Sequence, residues 1–171
     1  MGCDIHMYVE YKRRAQRHVD VEECWDSHGG RINPGRHYPL FAELAGVRMG
    51  ERDTGATPRG LPDDLGFYSR GDSKLFIVGD SDGDPVEGAV FKSTAARWVA
   101  EGSSEYIDEG SSVTHPDWHS HSWCTAQELE DAIKRADGEW GVDPGYTALA
   151  DTLRSFERQG YDARVVFWFD N

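Results

Sequence analysis

The sequence predicts an α+β fold in one domain, residues 1–171, with a mixed or antiparallel sheet, three to four helices and long loops. The observations behind this prediction are strand patterns at both ends of the chain and helical spacing of apolar residues between them. Strands and helices in separate runs are typical of α+β domains. A chain of 171 residues is long enough to bury a core of its own.

The first strand is predicted from strict alternation in "CDIHMYVEYK". Ile5, Met7 and Val9 share one face, which we expect in the core, and the side chains between them share the other. A second alternating stretch, "HVDVEECW", predicts the partner of an N-terminal hairpin.

The last segment, "ARVVFWFDN", is β-branched and aromatic without alternation, as expected of a central strand buried on both faces. We therefore expect the two terminal strands to be paired or adjacent in one sheet. The run "KLFIV" predicts a further short buried strand.

Four segments have helical signals. The first begins at Pro39 and ends near Gly50, the second, "TAARWVAEG", is capped by Ser93, and the last starts at Asp143-Pro144. The third has a capping box formed by Thr125 and Glu128. The histidine-rich stretch before it, "HPDWHSHSW", is predicted to be a loop that leads into this helix. Residues 49–74 are predicted to be a long loop.

The charge excludes some classes of partner. With 31 acidic and 18 basic residues the formal net charge is −13, which disfavours binding to a nucleic-acid duplex or to an anionic membrane surface. An anionic ligand needs arginines gathered at one place, and Arg31, Arg36 and Arg59 lie in or beside Gly/Pro-rich loops. Three cysteines without a CxxC pair, and no apolar run of membrane-spanning length, predict a soluble cytoplasmic protein.

Two pairs of potential metal ligands stand out. Asp4 and His6 lie two apart on the first strand, so their side chains leave the same face. His119 and His121 also lie two apart and point one way if their segment is extended. Imidazole nitrogen and carboxylate oxygen both bind zinc, so the four residues predict a site for a divalent metal, Zn or Mn. His115 and Asp117 are candidates for supporting roles.

Other interpretations of these motifs stay open. Without a metal, His119 or His121 could act as a general acid or base. Cys3 could act as a nucleophile with His6 as its base. The acidic turn "DSDGDP" imitates a calcium loop, but Pro85 and Phe91 occupy the places where an EF-hand has Gly and Glu.

The motifs "MGCDIH", "LFAELAGVR", "PRGLP", "HSHSW" and "VVFWFDN", in this order, resemble a family of small uncharacterised proteins of bacteriophages and prophages. The resemblance covers most of the chain except residues 70–110. It implies a viral accessory protein that acts in the host cytoplasm. The shared motifs include Cys3, the Asp4–His6 pair and the His119–His121 pair. Arg36 and Arg59 occupy related arginine positions.

Two functions from different classes follow. The first is a metal-dependent hydrolase of a phosphoester or nucleotide, in which Asp4, His6, His119 and His121 hold the metal that activates water and Arg36 and Arg59 hold phosphates. The alternative is a non-catalytic anti-defence module that binds a nucleotide signal or a host protein. Its ligand would stack on Trp118 and Trp123 and accept hydrogen bonds from His119 and His121. The sequence leaves the oligomeric state open.

Overall fold

A computed structural model describes residues 2–14, 24–48, 56–136, 138 and 141–171. Most of the predicted hairpin partner, "HVDVEECW", lies outside these residues. The chain divides into two compact units, residues 1–67 with 119–171, and residues 68–118. The described residues are α+β, as predicted, and each unit has its own four-stranded sheet.

The sheet of the first unit has the strand order β2-β1-β8-β7, and all of its pairs are antiparallel. The strands are β1 (Asp4–Arg13), β2 (Asp26–Ser27), β7 (His119–Thr125) and β8 (Tyr161–Asp170). The terminal strands β1 and β8 pair along their whole length, from Asp4 opposite Asp170 to Arg13 opposite Tyr161. The predicted pairing of the chain ends is therefore confirmed, and β8 is a central strand buried along most of its length.

Three helices accompany this sheet in the first unit: α1 (Tyr38–Ala45), α4 (Ala126–Ala136) and α5 (Pro144–Arg158). Their buried residues share a core with Ile5, Met7 and Val9 of β1. The capping box of α4 is confirmed, because Thr125 donates its backbone N–H to the Glu128 carboxylate and accepts the Glu128 N–H at Oγ. The predicted end of α1 near Gly50 is wrong. The helix stops at Gly46, which adopts a left-handed φ of 66° that favours glycine.

The second unit has the strand order β4-β3-β6-β5. These strands are β3 (Leu75–Val78), β4 (Ala89–Phe91), β5 (Tyr106–Ile107) and β6 (Ser112–Val113). A helix, α3 (Lys92–Ala100), shares a small core with the sheet. Helix α2 (Phe67–Asp72) lies in the predicted loop 49–74 and brings the described α-helices to five.

The acidic turn after β3 has a structural role within the second unit. Asp80 accepts hydrogen bonds from the backbone N–H and the hydroxyl of Ser93, in the first turn of α3. The prediction that Ser93 caps this helix is therefore wrong, because the helix begins at Lys92 and the capping acceptor is a distant carboxylate.

The polar face of β1 is buried as well, which the alternation did not predict. The Glu10 side chain is fully buried, and its carboxylate accepts hydrogen bonds from Gly66 N–H at 2.7 Å and Arg164 Nε at 2.7 Å. Arg164 also donates to the side chain and the backbone of Asp64. A buried ion pair thus ties the loop before α2 to both central strands.

Candidate functional site

From His119 onward the histidine-rich segment belongs to strand β7 and is not a loop as predicted. Its register against β8 runs regularly from Thr125 opposite Arg164 to Ser122 opposite Phe167 and then shifts before His119. At the shift, Ser120 has a left-handed φ of 53°. An irregularity of this kind breaks the alternation of side chains along a strand.

The shift separates the two histidines of the HxH motif. The His121 ring stacks on Trp168 with 5.9 Å between ring centroids, whereas the His119 ring stacks on Phe169 at 6.0 Å. Trp168 and Phe169 are consecutive residues of β8, so they face opposite sides of the sheet. The expectation that His119 and His121 point one way is therefore wrong.

His6 lies on the Trp168 side of the sheet and is held at both ring nitrogens. Its Nε2 donates to Oδ2 of Asp170 at 2.8 Å, and its Nδ1 accepts from Nη1 of Arg31 at 3.1 Å. The guanidinium can only donate and the ionised carboxylate can only accept, so this pattern fits a neutral imidazole with its proton on Nε2. Asp170, one of the last two residues of the chain, supplies the carboxylate that orients His6.

Asp4 has a different partner from the one predicted. Arg36 donates to both of its oxygens, through Nε to Oδ1 and Nη2 to Oδ2. This hydrogen bonding lowers the pKa of Asp4 below its usual value. The Asp4 carboxylate therefore neutralises the arginine that was predicted to hold a phosphate.

The four predicted metal ligands do not come together. His6 on β1 and His121 on β7 both stack on Trp168, the ring of the strand between them, and strands two apart are separated by about 10 Å. Zinc needs ligand nitrogens at about 2.0–2.1 Å from the ion, so two histidines this far apart do not share one zinc ion. His119 stacks on the other face of the sheet. Within the described ranges, no group of three or more His, Cys, Asp or Glu side chains is arranged to hold a metal ion.

The alternative based on Cys3 also lacks the required geometry. Cys3 is fully buried in the core of the first unit, and its thiol contacts the backbone oxygen of Asp4 at 3.9 Å. Burial raises the pKa of this thiol. A buried thiol of raised pKa is a poor nucleophile.

His121 is expected to make stability depend on pH. Burial, and to a smaller extent electrostatic interaction with His119 and His6, lowers its pKa to about 4. Unfolded histidine has a pKa of about 6.5, so between these values only the unfolded chain binds the proton. The free energy of unfolding should fall as pH decreases from 6.5 to 4, by up to about 1.4 kcal/mol per pH unit for this residue.

Urea denaturation between pH 7 and pH 4 measures this dependence. The variant His121→Gln keeps a polar side chain but cannot titrate, so its stability should fall less steeply over that range. Parallel pH profiles for the two proteins would contradict a buried neutral imidazole at position 121.

Arg59 is the third loop arginine, and its charge is also satisfied. Its guanidinium lies 4.7 Å from the ring centroid of Trp123 and donates to both oxygens of Glu128. These hydrogen bonds lower the pKa of Glu128. A cavity of about 180 Å³ beside this pair is lined in addition by the ion pair of Arg135 and Glu43. The guanidinium groups of Arg59 and Arg135 that line this cavity are therefore neutralised by the carboxylates of Glu128 and Glu43.

A second cavity of the first unit, about 330 Å³, has different chemistry. Its lining includes two tryptophans, three basic side chains and two acidic ones: Trp25, Trp123, Lys12, Arg14, Arg164, Glu157 and Asp162. Lys12 Nζ lies 5.0 Å and Arg164 Cζ 3.8 Å from the ring centroid of Trp25. We call this space the Trp25–Trp123 cavity.

The basic residues of the Trp25–Trp123 cavity differ in their pairing. Arg14 pairs with Asp162, and Arg164 with Glu10 and Asp64. Lys12 forms no ion pair with any other described residue. Lys12 does lie within electrostatic range of Asp64. The cavity therefore offers one cation that is not in direct ion-pair contact with a described carboxylate.

Trp118, the other predicted stacking residue, belongs to the second unit, where its ring stacks on His115 at 5.0 Å. Asp117 donates its backbone N–H to His115 Nδ1. Among the described residues, neither His115 nor Asp117 belongs to a group of three or more His, Cys, Asp or Glu side chains that could hold a metal ion.

Sequence reasoning missed Asp170, Lys12, Arg164 and Trp25. A signal was available for Asp170, because terminal strands that pair antiparallel bring the two chain ends together. Lys12, Arg164 and Trp25 come together because of the register between β1 and β8 and the course of a loop. Neither feature leaves a pattern in the local sequence.

None of the helices that the structure describes is long and apolar enough to cross a membrane. No family model matches the chain, and no curated protein or solved structure matches it significantly.

Proposed function

We propose that the protein is a non-catalytic module that binds a small anionic aromatic molecule, of the nucleotide class, in the Trp25–Trp123 cavity. The observation that carries this proposal is the meeting of two tryptophans and three basic side chains in one cavity of a chain with a net charge of −13. The proposed ligand contacts differ from those predicted from the sequence. Trp118 lies in the other unit, and Arg36 and Arg59 are paired with carboxylates.

The size and polarity of the cavity suit such a ligand. Small-molecule sites are concave spaces of about 300–1,000 Å³ with aromatic walls and a few polar groups, and this cavity measures about 330 Å³. The indole rings offer surfaces for a base. The Lys12 ammonium offers a counter-charge for a phosphate, and its position near the Trp25 ring keeps it at the cavity wall.

Contacts outside the cavity hold the Trp123 ring in place. Arg59 lies against its ring and is fixed by Glu128, which is in turn part of the capping box of α4. A stacking residue held by a helix terminus loses little side-chain freedom on binding, which favours affinity.

The resemblance to phage proteins suggests the biological setting. The ligand would be a nucleotide signal of the infected cell, bound in the host cytoplasm so that a defence system does not receive it. Sequestration of this kind needs binding without chemistry.

Binding can be tested by calorimetric titration with a panel of mononucleotides and cyclic nucleotides. We expect Trp123→Leu to weaken binding of the best ligand by about 5- to 150-fold, since stacking of one base is worth about 1–3 kcal/mol. Lys12→Gln should weaken it by about tenfold.

Lys134→Gln is the matched control, because Lys134 is exposed and pairs with Asp131 on α4, away from the cavity lining. Its affinity should equal that of the wild type. Ligand recovered intact after denaturation of the complex agrees with a binding module. Chemically altered ligand, or no binding by any nucleotide at millimolar concentration, overturns the proposal.

A metal-dependent hydrolase is the second candidate. Two observations favour it: the lowered pKa of His121 leaves a lone pair for a metal at neutral pH, and Nε2 of His119 is buried without a hydrogen-bond partner among the described residues. The residues as arranged do not form a metal site, since Trp168 lies between His6 and His121.

Metal analysis distinguishes the metal-dependent hydrolase from the binding module. Zinc or manganese bound in stoichiometric amount by the wild type, and lost in His6→Ala and His119→Ala, would establish a metal site. Equal trace amounts in all three proteins, with no turnover of bis(p-nitrophenyl) phosphate, would exclude the hydrolase.

A further inference from the structure

Trp25, one wall of the Trp25–Trp123 cavity, is held in its orientation by the carboxylate of Asp64. The indole N–H of Trp25 donates to Oδ2 of Asp64 at 2.7 Å, and Nη1 of Arg164 donates to Oδ1 at 2.8 Å. Cζ of Arg164 lies 3.8 Å from the ring centroid of Trp25. The indole is therefore fixed at two points, at its ring face by Arg164 and at its N–H edge by Asp64.

The arginine against the ring face is itself held in one orientation. Its three guanidinium nitrogens all donate to the protein: Nε to the Glu10 carboxylate, Nη1 to the Asp64 carboxylate and Nη2 to the backbone oxygen of Asp64. Arg164 is almost fully buried, and hydrogen bonds between charged groups with little access to water are strong. The guanidinium thus presents a fixed face to Trp25, and Asp64 links the two side chains.

The segment that contains Asp64 also holds the other indole of the cavity. Earlier in this segment, the guanidinium of Arg59 lies 4.7 Å from the ring centroid of Trp123, and its Nη1 donates to the backbone oxygen of Trp123 at 3.4 Å. Pro62 lies between the two holding residues and restricts the backbone there. Both aromatic walls of the cavity are therefore oriented by residues 59–64.

Backbone groups anchor this segment to the sheet near both of its ends. Gly60 donates its N–H to the backbone oxygen of His121 on β7 at 2.9 Å, and Gly66 donates its N–H to the buried Glu10 carboxylate on β1 at 2.7 Å. Neither anchor uses the side chain of Asp64. Removal of the Asp64 carboxylate therefore leaves the segment attached to the sheet and acts on Trp25 and its partners.

We infer that Asp64 is a positioning residue for ligand binding, which holds the Trp25 ring ready for stacking without contacting the ligand. The inference rests on the function proposed above. Asp64 lies outside the lining of the cavity, so its effect passes through the indole N–H of Trp25. A ring that is already fixed in the free protein loses little freedom when a base stacks on it, which favours affinity.

The variant Asp64→Asn tests this role in the ligand-free, full-length protein. Asparagine keeps the size of the side chain but has one acceptor oxygen for the two donors, and its amide nitrogen can only donate. We expect the charged Arg164 to keep that oxygen, so the Trp25 N–H loses its acceptor. In heteronuclear NMR spectra the indole N–H signal of Trp25, assigned with Trp25→Phe, should shift and exchange faster with water.

Asp63→Asn is the matched control for this variant. Asp63 is the neighbouring carboxylate, its side chain is exposed, and it is not the acceptor for Trp25 or Arg164. Its replacement removes the same charge from the same loop and should leave the Trp25 signal unchanged. The Asp64 side chain is more than half exposed and Arg164 keeps its bond to Glu10, so we expect both variants to fold, which thermal unfolding checks.

Calorimetric titration with AMP and GMP measures the effect on binding. Loss of a negative charge alone favours an anionic ligand, so Asp63→Asn should bind as tightly as the wild type or slightly more tightly. Asp64→Asn should bind about 2- to 12-fold more weakly, because the Trp25 side chain must then be ordered on binding. The two variants are thus expected to change affinity in different directions although they remove the same charge.

The outcomes separate this inference from the proposed function. An unchanged Trp25 signal in Asp64→Asn, or an affinity equal to that of Asp63→Asn, would overturn the inference. Failure of AMP and GMP to bind to the wild type would contradict the proposed function, and the role of Asp64 in ligand binding would fall with it. The NMR comparison would still show whether Asp64 holds the Trp25 ring.

Discussion

Arg164→Met is expected to destabilise the protein by about 3–5 kcal/mol, because it leaves the charge of Glu10 buried without its cation. The Glu10 side chain is fully buried and Arg164 is 5% exposed, so water cannot replace the lost hydrogen bonds. Chemical denaturation at pH 7 measures the change in the free energy of unfolding. Methionine keeps most of the side-chain volume, which limits the effect to the charge.

Arg14→Met is the matched control, since Arg14 makes a similar contact with Asp162 but both side chains are about half exposed. Its cost should stay below about 1 kcal/mol. The double variant of Arg164→Met with Glu10→Gln should recover part of the lost stability, because no buried charge remains unpaired; Asp64, the other partner of Arg164, is more than half exposed. Equal losses in the free energy of unfolding for Arg164→Met and Arg14→Met would show that burial does not increase the contribution of the Arg164–Glu10 pair to stability.

Trp168→Ala is expected to cost about 3–5 kcal/mol, as usual for removal of a large buried aromatic side chain. Trp168 is fully buried, and its ring stacks on His6, Tyr8 and His121 at centroid distances of 5.7, 5.1 and 5.9 Å. Thermal and urea unfolding measure the loss. Trp168→Phe, which keeps an aromatic ring, should lose less than Trp168→Ala.

The same variant has a second readout at His121. Removal of the indole admits water beside the imidazole, so the pKa of His121 should rise from about 4 toward the value of about 6.5 for a solvated histidine. An NMR titration of the ring protons follows it. A loss of stability below about 1 kcal/mol, or an unchanged pKa of His121, would contradict the role of Trp168 as the group that shields this histidine.

These two variants probe the features that the sequence did not predict. Alternation in β1 indicated a strand with one polar face, and nothing local showed that Glu10 on that face is buried against Arg164. Similarly, "HSHSW" indicated two histidines of one orientation, and the register shift at Ser120 moved them to opposite sides of the sheet.

The candidate site was predicted in part. His6 and His121 lie on one face of one sheet, whereas the sequence placed His121 in a loop. The carboxylate beside His6 is Asp170 rather than Asp4, because the antiparallel register brings the last strand next to the first and Arg36 neutralises Asp4. The Trp25–Trp123 cavity was not predicted, since its basic residues are far apart in the sequence.

By itself, the sequence determined the α+β class, the paired terminal strands and the capped helix α4. The helix and strand types and the cap depend on periodicity and capping residues, which act between residues near in the chain. The pairing of the two terminal strands followed from the long apolar run of β8, which needs burial on both faces. Only the tertiary structure decided which polar side chains are paired, which histidines share a face and where Lys12 lies beside the Trp25 ring in a cavity that Trp123 also lines. Those outcomes depend on strand register and loop course, where a shift of one residue changes the face to which each side chain points.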